Sequence, residues 1–293
     1  MNDVLETYHR WRRKTLPPSI AELQWRFDAL GRRMESLEQT VGGHMPPPVA
    51  TAEAQTRVRE TLRLLRPRAV VGHDKTRIGS AGDGGYVQID DLAGIIHALS
   101  FGVCDNDSWD LAMAQAGVPV EQFDHSIERA PSTHPLLTFH RKMITLETTE
   151  TSASLPDLVA RFSKGGADLI LKMDIEGWEW DVLDQASDAD LSRIAQILCE
   201  FHHLSRLVQP EFAARAKRVF EKLSGQFAPV HFHANNCGPL CNAANVPLPD
   251  YLEITFVNRG RYETKDSDEL FPTPLDAPND PRYADIFLGA FKF

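Results

Sequence analysis

The run Leu169, Ile170, Leu171, Lys172, Met173 passes directly into Asp174, Ile175, Glu176 and Gly177, and then into the apolar-periodic segment Trp178 to Leu183. No other stretch constrains the fold as tightly. A nearly continuous apolar run bounded by acidic and glycine residues is the pattern of a buried strand. A helix that starts within a few residues of its end is the pattern of a β–α unit. A strand buried on both faces needs helices on both sides, which in practice means a mostly parallel, doubly wound sheet.

The rest of the chain from about residue 67 repeats this alternation. Strands are predicted over 95–101, 118–123, 137–140, 168–173 and 194–201, and helices over 108–115, 155–162, 178–185 and 210–223. Strands over 230–233 and 251–258 follow with no convincing helix between them, so they are expected to form an antiparallel pair at one edge. A further helix is expected over 53–66, with Val58, Leu62 and Leu65 on one face.

Ahead of this domain lies a different pattern. Ser19 and Glu22 form a capping-box pair. Ile20, Leu23, Phe27, Leu30, Met34, Leu37 and Val41 then recur at spacings of three and four. That stripe is the a/d seam of a coiled coil, narrower than the apolar face of most globular helices. Residues 19–41 are therefore expected to associate copies of the chain. Gly42 to Pro48 reads as a semi-rigid linker. The expected division is a helical, Pro-linked segment over 1–52 and a catalytic-type domain over 53–293.

The chain has 293 residues, a net charge of −10 and four cysteines. The charge argues against a nucleic-acid backbone as partner. Four cysteines are too few for a disulfide framework in a chain this long, and no apolar signal core or membrane-spanning run is seen. A cytoplasmic location is the expectation.

In an open parallel sheet the ligand sits beyond the carboxyl ends of the strands. The first such end is Ser100, Phe101, Gly102, Val103, Cys104, Asp105, where Gly102 would let the backbone approach a ligand. The second ends at Asp124, next to His125. An acidic residue there can accept both hydroxyls of a ribose, and the 22 residues from Gly102 to Asp124 are close to the roughly 20 expected. Asp83, Gly84, Gly85 and Tyr86 form a Gly-rich turn ahead of the first strand. It is neither a GxGxxG fingerprint nor a phosphate loop.

Side chains alternate along a strand, so Asp174 leaves one strand end while Glu200 and His202 leave the next in a shared direction. If the two strands are neighbours, the three groups converge. Two carboxylates and an imidazole suit a divalent cation, or a general base beside a hydroxyl; a plain ionic network is the structural alternative. His231, His233, Cys237 and Cys241 do not match a standard zinc spacing. His233, Asn235 and Asn236 are instead expected at the rim of a site.

Taken together these motifs resemble the FkbM-like family of S-adenosylmethionine (SAM)-dependent methyltransferases. The resemblance covers roughly residues 75–293. It is carried chiefly by Lys172 to Leu183, then by Asp83–Tyr86, Ser100–Val103, Phe123–His125, Glu200–His202, His233–Asn236, Leu275–Asn279 and Asp285–Gly289 in order. The first motif departs from the fuller glycine pattern of many methyltransferases, and the first 50 residues lie outside the match. The resemblance implies a class I methyltransferase fold, a Rossmann-like mostly parallel seven-stranded sheet with an antiparallel edge hairpin. It also implies SAM as donor and a sugar, glycan or other small-molecule hydroxyl as acceptor. On that basis Asp124 and His125 are expected at the SAM ribose, with Gly102, Asp105 and Asp83–Tyr86 around the rest. His202 or His233 is expected as base. Alternatively Asp174, Glu200 and His202 hold Mg²⁺ or another divalent cation that acidifies the hydroxyl.

Two rival readings make distinct demands. A nucleotide-sugar-modifying Rossmann enzyme such as an epimerase would need a GxGxxG motif and a Tyr-x-x-x-Lys pair, and the sequence has neither. A coiled-coil scaffold with a decayed Rossmann domain would fail to bind SAM.

Overall fold

The structure is a computed structural model that describes residues 51–293. The predicted seam over 19–41 lies outside the described residues. Seven strands form the central sheet: β1 (His97–Phe101), β2 (Val120–Phe123), β3 (Leu137–His140), β4 (Leu169–Met173), β5 (Ile194–Phe201), β6 (Phe227–Ala234) and β7 (Leu252–Asn258). Their order across the sheet is β6-β7-β5-β4-β1-β2-β3. Strands β1 to β5 pair in parallel, and β7 runs antiparallel to both β5 and β6.

The predicted pair of late strands is therefore present, with β6 at the edge and β7 inserted beside β5. The chain steps outward from β1 to β3 and returns to β4 on the other side of β1. That reversal is a topological switch point, the place where an open α/β sheet leaves a crevice.

The helices follow the sequence pattern closely. They are α1 (Ala52–Arg63), α2 (Ser108–Gln115), α3 (Leu155–Phe162), α4 (Glu179–Gln185), α5 (Asp188–Leu191) and α6 (Pro210–Gln226). Helices α1, α3, α5 and α6 start where local chemistry supplies an acceptor or a fixed φ. Thr51 caps α1, Ser154 caps α3 ahead of Pro156, and Ser187 with Asp190 forms a capping box on α5. Helix α6 buries Phe212, Ala216, Val219, Phe220 and Leu223 against the sheet. Trp180 of α4 meets Phe201 and Phe220 with ring centroids 4.9 and 5.3 Å apart. Such pairs add about 0.5–1.5 kcal/mol each beyond their buried area.

Two hairpins were not anticipated. Lys75–Ile78 pairs with Tyr86–Ile89, so the Gly-rich turn is the loop of a hairpin. Buried polar groups of the sheet pin it. The Gln196 side chain exchanges two hydrogen bonds with the Ile89 backbone (2.9 and 3.0 Å), and Thr255 donates to the Val87 carbonyl at 2.5 Å. Leu240–Ala243 pairs with Val246–Pro249 in the connection from β6 to β7. Among the described residues no helix is long and apolar enough to cross a membrane.

Candidate active site

Strands β4 and β5 are neighbours in parallel register, with Met173 opposite Cys199. One residue further on, Asp174 and Glu200 stand side by side, and His202 follows on the same face. The expected convergence is present. One ligand atom from each of Asp174, Glu200 and His202 lies within 4.8 Å of the others. His202 Nε2 is 3.6 Å from Glu200 Oε1, 3.9 Å from Asp174 Oδ1 and 3.7 Å from Glu176 Oε2. Its Nδ1 is 3.0 Å from Glu179 Oε1. Glu200 and His202 are buried, while the Glu176 side chain is 81% exposed at the mouth.

The electrostatics are those of crowded carboxylates. Burial pushes the Asp174 carboxyl up to about 6, opposed by Lys172 and His202 and reinforced by Glu176 and Glu179. Burial and the neighbouring Asp174 raise Glu200 well above the usual carboxylate range. Burial favours neutral His202, yet Glu179, Glu200 and Asp174 raise it well above its ordinary value. Four acids around one ring want positive charge. Two oxygen donors and one imidazole nitrogen form a donor set that fits a divalent cation.

The β1 end contributes differently from expectation. Gly102 has φ +77°, and a Cβ there would lie 1.7 Å from the Asp174 carbonyl oxygen. The glycine is needed for the close approach of β1 to the β4 end, before any ligand is considered. Lys172 donates to the Gly102 carbonyl from the same side. Asp124 also serves the chain first. Its Oδ2 accepts from the Val103 and Cys104 amides, both at 2.8 Å, and its Oδ1 accepts from the Ser126 amide and hydroxyl, both at 2.7 Å. Four donors fill the four lone-pair sites of a carboxylate. In this structure those sites are taken up within the chain: Asp124 clasps the loop after β1. Burial opposes its charge, but these hydrogen bonds hold the carboxyl below its ordinary value. Asp105 is exposed at the tip of that loop, and His125 is half-buried beside it.

In the hairpin loop, Gly84 has φ +78° and packs on the Asn106 side chain, which donates to the Asp83 carbonyl at 2.5 Å. Ser108 of α2 donates to the Gly84 carbonyl at 3.2 Å, and a Cβ at Gly85 would lie 2.0 Å from the Ser80 carbonyl. Gly84 holds the loop on the β1–α2 turn, and Gly85 lets the loop close on Ser80. Asp83 is exposed. Tyr86 is brought into the acidic cluster, where its hydroxyl donates to Asp174 Oδ2 at 3.3 Å. Burial and then Asp174 push the phenol well above its ordinary value, so it stays a donor.

His233 is tied at both ring nitrogens. It is 1% exposed, with Nδ1 3.0 Å from Glu253 Oε2 and Nε2 3.1 Å from both oxygens of Asp285. Burial pulls it down, but Asp285 and Glu253 prevail and raise it to about 10. Both ring nitrogens are committed, and a protonated ring takes up no further proton. Asn235 does reach the cluster, donating to Glu200 Oε1 at 3.0 Å, while Asn236 holds the backbone of Asp280. His231 pairs with Asp276 at 2.8 Å and Cys241 faces the Leu248 carbonyl.

Two contributors escaped the sequence reading. Glu179 holds the far side of the His202 ring, and Tyr251 packs its ring 4.8 Å from it. A trace of the first was present in the spacing of Asp174, Glu176 and Glu179. Nothing local marks Tyr251.

A seven-stranded sheet in this order, with β7 antiparallel between β5 and β6 and an acidic cluster at the β4–β5 edge, defines a class I methyltransferase fold. More particularly, residues 101–222 match the family model described as "Methyltransferase FkbM domain". No curated protein matches the sequence. Among solved structures, a proposed methyltransferase from Thermoplasma acidophilum is similar at 6% identity and a TM-score of 0.29, over 56% of this chain and 68% of that one. A chain of a fibrillarin/Nop5p complex is similar at 10% identity and a TM-score of 0.32, over 66% of this chain and 98% of that one.

Proposed function

We propose that the protein transfers a methyl group from SAM to a hydroxyl of a sugar or glycan, with a divalent cation held by Asp174, Glu200 and His202. The observation that carries this reading is the convergence of those three groups at the β4–β5 edge. The crevice beside Gly102 and the loop clasped by Asp124 would receive the donor, near the exposed Asp83 and Asp105 and the half-buried His125.

Displacement at a sulfonium methyl is in-line, so the work of the chain is to align acceptor and donor and to receive a proton. A sugar hydroxyl is a weak acid, and a cation would lower its pKa. Asp174 and Glu200 would supply oxygen ligands, and His202 a neutral Nε2. Tyr86 orients Asp174, and Asn235 orients Glu200. If no cation takes part, Asp174, pushed up to about 6, is the group poised to accept the proton near neutral pH.

Removal of metal separates the two versions. Protein dialysed against EDTA is assayed for transfer of labelled methyl from SAM into free hexoses and 6-deoxyhexoses, and again after Mg²⁺ is returned. The expected result is loss on chelation and recovery on return. Unchanged transfer after chelation would discard the cation and leave Asp174 as base.

A further inference from the structure

We infer that Glu179 is the positioning residue of this site, fixing His202 in the tautomer whose bare Nε2 faces Asp174 and Glu200. The inference rests on reading the cluster as a cation site. Glu179 is the first residue of α4 and has no solvent exposure. Its Oε1 accepts from the Ile175 amide at 2.9 Å and lies 3.0 Å from His202 Nδ1. That oxygen already accepts from the amide, so toward the ring it is again the acceptor and the ring donates from Nδ1. In a neutral ring Nε2 then carries the lone pair.

The ring has little freedom to do otherwise. Tyr251 packs on it at 4.8 Å, and Trp180 Nε1 of the same helix donates to the His202 carbonyl at 2.9 Å. One helical turn thus grips both ends of the residue.

The second observation is Glu179 Oε2, which is buried with no hydrogen-bond partner. Capping the Ile175 amide needs one oxygen and no charge. A buried carboxylate with an unpaired oxygen is costly, so stability of the fold alone does not account for an acid here. A carboxylate behind a ligating imidazole does account for it. The acid fixes ring orientation and makes the opposite nitrogen a stronger donor to a cation, an arrangement whose loss costs about 10–100-fold in metal affinity.

The test is a Mn²⁺ titration of the full chain, followed by electron paramagnetic resonance, for the wild type and Glu179→Gln, with thermal melts of both in EDTA. Glutamine keeps the shape and removes the charge. The expected result is Mn²⁺ binding by the wild type, a loss of about 10–100-fold in E179Q, and a metal-free Tm that is unchanged or raised. Equal affinities, or a Tm that falls with no change in affinity, would overturn the positioning role and leave the cation site standing. A wild type that binds no Mn²⁺ would overturn the cation reading and this inference with it. Independent of any variant, nitrogen-15 imidazole spectra of the wild type saturated with Mg²⁺ should show a neutral His202 protonated at Nδ1 alone. The Nε2-protonated tautomer would overturn the inference.

Discussion

His202 and His233 stand at corresponding strand ends, and each has a carboxylate at Nδ1. They differ at the other nitrogen. His202 Nε2 faces three carboxylates at 3.6–3.9 Å, too far for direct hydrogen bonds, whereas His233 Nε2 is already bonded to Asp285. The sequence makes both histidines candidates because each ends a strand. It cannot separate them, because Asp285 lies 52 residues from His233 in a segment without periodicity. The raised pKa of His233, about 10 against an ordinary 6.5, has a definite sign. A raised folded value gives stability that is fully present below the unfolded pKa and is lost as pH rises through the folded one. The Tm of the wild type should therefore decline between pH 6.5 and about 10 more steeply than that of H233Q. Parallel curves would show that the pairing with Glu253 and Asp285 does not hold a charged ring.

At the scale of elements, β1 to β5 and most helices were legible because periodicity, caps and glycine stops agreed. The Ser108–Gln115, Leu137–His140, Leu155–Phe162 and Ile194–Phe201 elements match the predicted bounds. The hairpin over 75–89 was missed because its strands are short and its loop carries the stronger signal. Its docking depends on Gln196 and Thr255, which are far away in sequence. Gly102 was recognised, but for a different reason. Its contact is with the Asp174 carbonyl, so it joins two elements. Gly102→Ala should then cost far more than the left-handed backbone alone. Gly117→Ala isolates the backbone cost, since Gly117 has φ +91° with nothing within 4 Å of a built Cβ. That variant should lose about 1–2 kcal/mol in urea unfolding, and G102A several times as much or all folding. Equal losses would contradict the account of the β1–β4 contact.

At the scale of the whole molecule, the alternation of strands and helices predicted the sheet, and the order of motifs predicted its class. The acidic site followed from strand adjacency alone. The reach of Tyr86 and Tyr251 did not, because both come from hairpin and loop segments placed by tertiary packing. We propose that residues 19–41 associate copies of the chain through their seam. Light scattering on the full chain and on a chain beginning at residue 51 should give a multiple and a monomer respectively. A monomer in both would refute the seam. The methyltransferase reading itself is met most directly by calorimetric titration of SAM into the full-length protein. Saturable binding with a Kd on the order of micromolar is predicted, and the absence of binding would contradict the reading and favour a scaffold built on a Rossmann-like sheet.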